Sequence, residues 1–133
     1  GGAQTALDAA LRYAGERKAF GAALDQLQTI QFKLADMETE LQAARTFLRQ
    51  AAWALDRGAP DATKRCAMAK RFVTDAAFRV ANEALQIHGG YGYLADYGIE
   101  KLVRDLRVHQ ILEGSNEIMR LIVARALLAE RDA

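Results

Sequence analysis

Apolar residues recur at steps of three and four along most of the chain. Over residues 28–57 this spacing continues for about 30 residues without a helix breaker, which predicts one long amphipathic helix. The same spacing predicts a first helix over 3–16 and a second long helix over 61–88. Only the short segment 58–60, which contains the single proline, separates the two long helices, so they should run antiparallel.

Two shorter helices complete the predicted secondary structure. The glycines and tyrosines of 89–93 should end the second long helix, and a shorter helix should follow over 96–108 with Asp96 as its N-cap. The last helix is predicted over 116–130, and 17–27 is predicted to be a loop. Because no stretch shows the sustained alternation of a strand, we expect an all-α domain, an antiparallel up-and-down bundle of about five helices.

Length, charge and composition narrow the class of protein. The chain has 133 residues, the size of one domain, and its formal net charge of +1 does not favour a nucleic acid partner. No apolar run approaches the roughly 20 residues of a membrane span and no signal segment is evident, so we expect a soluble intracellular protein. With one cysteine and two histidines, neither a disulfide nor a metal site is expected, and Cys66 should be a small buried core residue.

A first polar cluster lies where the first helix gives way to the second. It consists of Arg17-Lys18-Ala19-Phe20-Gly21, followed by Gln28 at the predicted start of the long helix. The arginine side chain presents a fixed fork of donors that suits phosphate oxygens, and a helix start offers unpaired N–H groups to the same charge. A solvated Arg-Lys pair at a helix end is the alternative interpretation.

A second cluster, Gln86-Ile87-His88-Gly89-Gly90-Tyr91-Gly92-Tyr93, stands at the predicted end of the second long helix. A helix stop needs one glycine, so three within four residues suggest close approach of another backbone or a ligand. No Gly-x-Gly-x-x-Gly follows a strand and no Walker-type lysine is present, so the glycines alone do not indicate phosphate binding. His88 is a candidate proton carrier.

A third cluster runs from Arg104 to Glu117 and has an acidic residue, Glu113, near its end. Glu113 follows the apolar pair Ile111-Leu112 and precedes a predicted helix start. Apolar surroundings favour the protonated form of a carboxylic acid and would suit a general base, whereas the positive end of a helix favours the ionised form. The sequence does not decide which of these two effects on the Glu113 carboxylate is larger. The alternative interpretation of Glu113 is an ordinary acidic residue near a helix N-terminus.

Together, and in this order, the three clusters resemble the C-terminal domain of the acyl-CoA dehydrogenase family over essentially the whole chain. Members of that family carry an Arg-x-x-Phe-Gly segment with a following Gln, a Gln-x-x-Gly-Gly-x-Gly-Tyr segment, an Arg-Asp pair and a Glu-Gly-(Ser/Thr) turn. The matching residues here are Arg17 to Gly21 with Gln28, Gln86 to Tyr93, Arg104-Asp105, and Glu113-Gly114-Ser115. The resemblance implies that residues 1–133 are this domain, without the N-terminal helical and middle β domains of the family.

The resemblance also implies a role for each matching residue. Contacts with FAD held mainly by a neighbouring subunit are implied for Arg17, Phe20, Gln28, Gln86, Ile87, His88, Gly89 and Gly90. Contacts with the FAD of the same subunit are implied for Ser115, Asn116 and Glu117. Gly114 would abut the acyl-CoA thioester, and Glu113 would be the catalytic base that removes the α-proton as a β-hydride moves to the flavin.

The implied enzyme oxidises a short or branched acyl-CoA substrate to the 2,3-enoyl-CoA and passes electrons to an electron-transfer flavoprotein. The pattern around Glu113 is most similar to the isobutyryl-CoA branch. The resemblance further implies a homodimer or homotetramer, in the bacterial cytoplasm or the mitochondrial matrix, and an isolated domain that is inactive. Alternatives are an acyl-CoA oxidase-type relative and a non-catalytic helical interaction module, whereas Glu113 argues against the related flavin hydroxylases.

Overall fold

Five α-helices make up most of the fold in a computed structural model that describes residues 1–131. They are α1 (Gly2–Glu16), α2 (Gln28–Asp56), α3 (Ala62–His88), α4 (Ile99–Val108) and α5 (Asn116–Arg131). The all-α prediction is confirmed, and the bounds of four helices agree with the prediction to within a residue or so. Short 3-10 segments, Leu24–Gln26, Gly89–Tyr93 and Ala95–Tyr97, lie in the connections.

The predicted start of the fourth helix is wrong. Asp96 lies in the 3-10 segment Ala95–Tyr97, and α4 begins at Ile99 after Gly98, whose φ is +69°. A residue with this left-handed conformation interrupts the helical path, so the segment before Gly98 cannot continue into α4. The N-cap is therefore a glycine, and Asp96 does not cap the helix.

The segment predicted to be a loop contains a small β-hairpin. Strand β1 (Lys18–Ala19) pairs antiparallel with β2 (Ala22–Ala23), and the two-residue turn consists of Phe20 and Gly21. Their φ angles, +54° and +83°, are those of a type I′ turn, the form that matches the twist of paired strands. The hairpin therefore places Phe20 at its tip.

Helix α3 is the centre of the fold, since α1, α2, α4 and α5 all pack against it. Alanines permit the close approach of α1, whose Ala6, Ala10 and Ala14 are completely buried. Larger core side chains fill the remaining space; the most buried are Leu7, Met37, Val80 and Ile99. The expectation for Cys66 is only partly met, because this residue is half-buried between α3 and α2, with Sγ 4.0 Å from the Ala51 carbonyl oxygen.

Among the helices of residues 1–131, not one combines the length and the apolar character that crossing a membrane requires.

Candidate functional site

The first two sequence clusters meet where α1 and α3 end. The Arg17 guanidinium lies over the ring of Tyr91, 5.1 Å from its centroid, which is within the range of a cation–π interaction. Beneath them Tyr13 stacks on His88 with ring centroids 4.2 Å apart, and Tyr97 packs edge-on against both rings. The exposed arginine is therefore held in place by an aromatic cluster that joins the two segments.

His88 supports this cluster from inside the fold. The side chain is buried, and its Nδ1 lies 2.7 Å from the carbonyl oxygen of Ala84. A carbonyl oxygen only accepts, so Nδ1 must be the protonated nitrogen. Ile87 beside it belongs to the hydrophobic core. Both residues were expected to contact a dinucleotide, and the side chains of both are buried in this domain.

Burial also affects the tyrosine stacked on His88. It raises the pKa of the Tyr13 phenol, an effect that the nearby positive charge of Arg17 partly offsets. The Tyr13 ring therefore remains a neutral stacking partner at physiological pH.

Two of the three glycines at the end of α3 have structural explanations. Gly89 adopts φ +60° and ψ −138°, a conformation almost restricted to glycine, and it ends the helix. A Cβ on Gly92 would lie 2.8 Å from the Leu85 carbonyl oxygen and 2.9 Å from the His88 Cβ, so this position requires the close approach that only glycine allows. A Cβ on Gly90 would meet nothing within 4 Å. The open surface at Gly90 is thus the part of this cluster that folding does not explain.

The remaining residues of the first cluster present polar and aromatic groups to solvent. Phe20 at the hairpin tip is 94% exposed. Gln28 opens α2, where the N-cap Leu27 makes no side-chain capping hydrogen bond. The Ile30 N–H donates to the Leu27 carbonyl oxygen, whereas no side chain of the N-cap satisfies the N–H groups of Gln28 and Thr29, an arrangement that attracts an anion. Gln86, on the last turn of α3, is exposed as well.

The third cluster forms a turn that a backbone hydrogen bond closes. The Asn116 N–H donates to the Gln110 carbonyl oxygen at 2.9 Å, and Glu113 lies at the middle of the enclosed segment. Glu113 has φ +55° and Gly114 has φ +89°. In the part of the chain that the structure describes, Glu113 and Phe20 are the two non-glycine residues with positive φ. Such strained positions concentrate at functional sites, which independently marks two residues singled out from the sequence.

Side chains from α3 hold both ends of this turn. One oxygen of Asp75, Oδ1, accepts hydrogen bonds from Gln110 Nε2 and Asn116 Nδ2, both at 2.7 Å. Asn116 Nδ2 also lies 2.9 Å from the Thr74 hydroxyl, and the Asn116 side chain is buried. Its amide is therefore engaged within the chain, which leaves other groups of the turn to face any flavin.

Lys70 contacts the turn directly after Glu113. Its Nζ donates to the Gly114 carbonyl oxygen at 2.7 Å and to Asn116 Oδ1 at 2.9 Å. Sequence reasoning missed Lys70 and Asp75 as parts of the site, and it assigned no role to Gln110 within the third cluster. Lys70 and Thr74 are four residues apart and share one face of α3, but this spacing does not reveal what that face contacts.

Glu113 itself is exposed, and the neighbouring Ile111 is 56% exposed. The apolar surroundings considered from the sequence are therefore not provided by residues 1–131. The start of α5 carries a second acidic residue, Glu117, whose pKa is lowered by hydrogen bonds from its own N–H and from the Ser115 hydroxyl. Arg120 lies 3.4 Å from the Glu117 carboxylate. Glu117 thus stabilises the positive end of α5.

The two regions are well separated. Lys70 and His88 lie on the same helix about five turns apart, which is roughly 27 Å along its axis. Within the described chain no group of three or more His, Cys, Asp or Glu side chains is arranged to hold a metal ion. The molecule therefore presents one surface at the ends of α1 and α3, and a second one at the turn before α5.

Known proteins are similar to this chain in sequence and in fold. Residues 1–128 match the family model described as acyl-CoA dehydrogenase, C-terminal domain. Mitochondrial isobutyryl-CoA dehydrogenase from Bos taurus is 52% identical over 130 residues, which cover 98% of this chain and 31% of the relative. The 3-(aryl)acrylate reductase of Clostridium sporogenes is 48% identical over 126 residues, 95% of this chain and 33% of the relative.

The same similarity extends to solved structures. Butyryl-CoA dehydrogenase from Megasphaera elsdenii is 42% identical with a TM-score of 0.91, and the match covers 96% of this chain and 33% of that one. The chain thus spans about a third of the length of the relatives it matches.

Proposed function

Because the chain belongs to the acyl-CoA dehydrogenase family, as its C-terminal domain, we propose that it completes the active site of a longer FAD-dependent enzyme. The reaction proposed is the oxidation of a short or branched acyl-CoA to the 2,3-enoyl-CoA. The observation that carries the proposal is the strained turn at Glu113, which α3 holds at both ends. The acyl-CoA dehydrogenases are flavoprotein oxidoreductases, and the carboxylate on this turn suits the role of the base in their reaction.

In this proposal Glu113 is the catalytic base. Its exposed carboxylate accepts the proton from the α-carbon of the substrate, and a second bond forms between the α- and β-carbons. FAD, when bound, supplies the acceptor for the hydride that leaves the β-carbon. Gly114 has φ +89°, and a Cβ there would lie 2.8 Å from the Met119 Cε, so only a glycine fits beside the base; its main chain is proposed to abut the acyl-CoA thioester. The upstream β domain would enclose Glu113 and exclude water, so the isolated domain is inactive.

The residues of the first two clusters fit part of a dinucleotide held by a neighbouring subunit. Arg17 presents a fixed positive charge, the start of α2 at Gln28 presents uncapped N–H groups, and the surface at Gly90 is open. Together these features suit a pyrophosphate and an adenosine group. The exposed groups proposed to line this site are Phe20, Gln86 and Gly89, with the main chain of Ile87 and His88.

The separation of the two surfaces supports an assembly in which one chain contacts two different FAD molecules, its own and that of a neighbouring subunit. A distance of roughly 27 Å along α3 lies between Lys70, next to the base, and His88, next to the dinucleotide surface. We propose that Ser115 and Glu117 face the FAD of the same subunit, and that the main chain of Asn116 does so too. The Arg17 surface faces the FAD of its partner in a homodimer or homotetramer.

The substrate branch and the physiological setting rest on the similarity to relatives. Isobutyryl-CoA dehydrogenase at 52% identity supports a short branched acyl group. The proposed electron acceptor is an electron-transfer flavoprotein, and the proposed location is the bacterial cytoplasm or the mitochondrial matrix. An acyl-CoA oxidase-type activity and a non-catalytic helical module are the alternatives that the experiment below separates.

The test uses the full-length enzyme that carries this domain, and it follows anaerobic bleaching of the flavin after addition of isobutyryl-CoA, butyryl-CoA or octanoyl-CoA. We expect Glu113→Gln to lower the rate of bleaching by about 10²- to 10⁴-fold while FAD remains bound. The control is Glu38→Gln, at an exposed position of α2 outside the three clusters, which should bleach at the wild-type rate. Bleaching unaffected by Glu113→Gln would place the base elsewhere, and a protein that binds no flavin would support the non-catalytic module. Rapid reoxidation of the bleached flavin by oxygen would identify an oxidase.

A further inference from the structure

We propose that Lys70 is a positioning residue for the proposed reaction: its ammonium group fixes the main chain after Glu113 and thereby holds the catalytic carboxylate in place. This inference rests on the proposed function. The residue lies on α3, far from Glu113 in sequence, and it belongs to none of the three sequence clusters.

The contacts of Lys70 clamp the turn at two points. One hydrogen bond reaches the Gly114 carbonyl oxygen at 2.7 Å, and the other reaches Asn116 Oδ1 at 2.9 Å. These acceptors lie on either side of Ser115, so a single cation spans the last part of the turn. Hydrogen bonds from a charged donor are about twice as strong as neutral ones, which suits the group to holding a strained segment.

The conformation at Glu113 explains why a clamp is needed. Two successive residues, Glu113 and Gly114, have positive φ, and this region of backbone conformation is strained for a non-glycine residue such as Glu113. Surrounding contacts must maintain such a conformation. A misplacement of about 1 Å at a reacting group lowers a rate by about 10²-fold. Loss of the Lys70 contacts should therefore slow proton transfer without removing the base.

The surroundings of Lys70 support this role over simple packing. Lys70 is half-buried, and within residues 1–131 no carboxylate lies at ion-pair distance from its Nζ. Another lysine of the same helix, Lys64, pairs with Glu130 of α5. Removing an ammonium group from water is costly unless its donors are used. At Lys70 the compensating acceptors belong to the turn that follows Glu113.

The test compares Lys70→Met with Lys64→Met in the full-length enzyme. Both substitutions replace a lysine of α3 that contacts α5 or its start, but only the first one affects the turn. We expect Lys70→Met to lower the rate of anaerobic flavin reduction by isobutyryl-CoA about 10- to 100-fold. The deuterium isotope effect with the α-deuterated substrate should be at least as large as in wild type, while FAD content and substrate affinity change less than about twofold. Lys70→Arg, which keeps the charge and the donors, should recover part of the rate.

A second readout is independent of activity. Amide hydrogen exchange in 110–116 should be faster in Lys70→Met than in wild type and unchanged in Lys64→Met. If Lys70→Met reduces its flavin at the rate of Lys64→Met, or if its slower rate comes with an isotope effect that falls toward one, the inference is wrong. Should Lys70→Met fail to fold, Lys70→Gln takes its place under the same criteria. A wild-type rate for Glu113→Gln would instead refute the proposed base, so the two failures are distinguishable.

Discussion

Asn116 is expected to be the largest single polar contribution to the stability of the turn, and Asn116→Ala tests this. The substitution removes a buried amide that donates to Asp75 Oδ1 at 2.7 Å and to the Thr74 hydroxyl at 2.9 Å, and that accepts from Lys70 at 2.9 Å. The Asn116 main chain, which closes the turn by its bond to Gln110, is left in place. The loss of stability in Asn116→Ala therefore reports on the side-chain amide alone.

The magnitude follows from the kind of partner. A hydrogen bond to a charged group contributes about 1.5–3 kcal/mol, and Asn116 makes two, with Asp75 and Lys70. Asp75 keeps Gln110 as a donor, and Lys70 keeps the Gly114 carbonyl, so neither charge loses all its partners. We therefore expect a loss of about 3 kcal/mol in the free energy of unfolding. For a domain of this size that is a decrease of about 10 °C in Tm.

The assay is equilibrium urea unfolding of this chain followed by far-ultraviolet circular dichroism, with the dependence on urea concentration compared between variants. Asn82→Ala is the matched control, because Asn82 lies exposed on α3 and its replacement should change stability by less than about 0.5 kcal/mol. If Asn116→Ala costs no more than Asn82→Ala, the network does not stabilise the turn and the reasoning is refuted.

Three further substitutions test other parts of the structure. Gly92→Ala should destabilise the domain by about 1–3 kcal/mol, because its Cβ would clash with the end of α3, whereas Gly90→Ala should be nearly neutral in the same urea titration. Arg17→Ala should weaken FAD retention by the full-length enzyme, measured by gel filtration, while Lys18→Ala retains the flavin; equal retention would contradict the phosphate role of Arg17. The lowered pKa of Glu117 means that its contribution to stability is present above its ordinary value of about 4.3 and is lost as the pH falls through the folded value. The stability difference between wild type and Glu117→Gln should therefore be constant near neutral pH and disappear in acid, and a difference that grows in acid would show the opposite sign.

Most of the secondary structure could be predicted because the information is local. The apolar spacing of 28–57 and 61–88 and the connection at Pro60 predicted α2 and α3 closely. The hairpin was missed, since Phe-Gly is not among the residue pairs that commonly form a type I′ turn. The start of α4 was misplaced because Asp96 has the properties of an N-cap, whereas the conformation of Gly98 decides where the helix begins.

The site shows the same division between local and non-local information. The family resemblance singled out Glu113 and Phe20, and the structure adds that both adopt positive φ. The resemblance could not show that Asn116 turns its amide into the fold, or that Lys70 donates a hydrogen bond to the Gly114 carbonyl oxygen. Those contacts join segments more than 40 residues apart in sequence, as the Lys70 to Gly114 separation illustrates.

The sequence by itself therefore determined the helices, their order and the polar segments between them, because periodicity, glycine and proline act over a few residues. Tertiary structure alone decided which face of α3 meets the turn before α5. Which side chains meet across two packed helices depends on the angle between their axes and on the rotation of each helix about its own axis. The spacing of apolar residues along either helix determines neither quantity. The hydrogen bonds of Lys70 and Asp75 exist because α3 and α5 pack in this one arrangement.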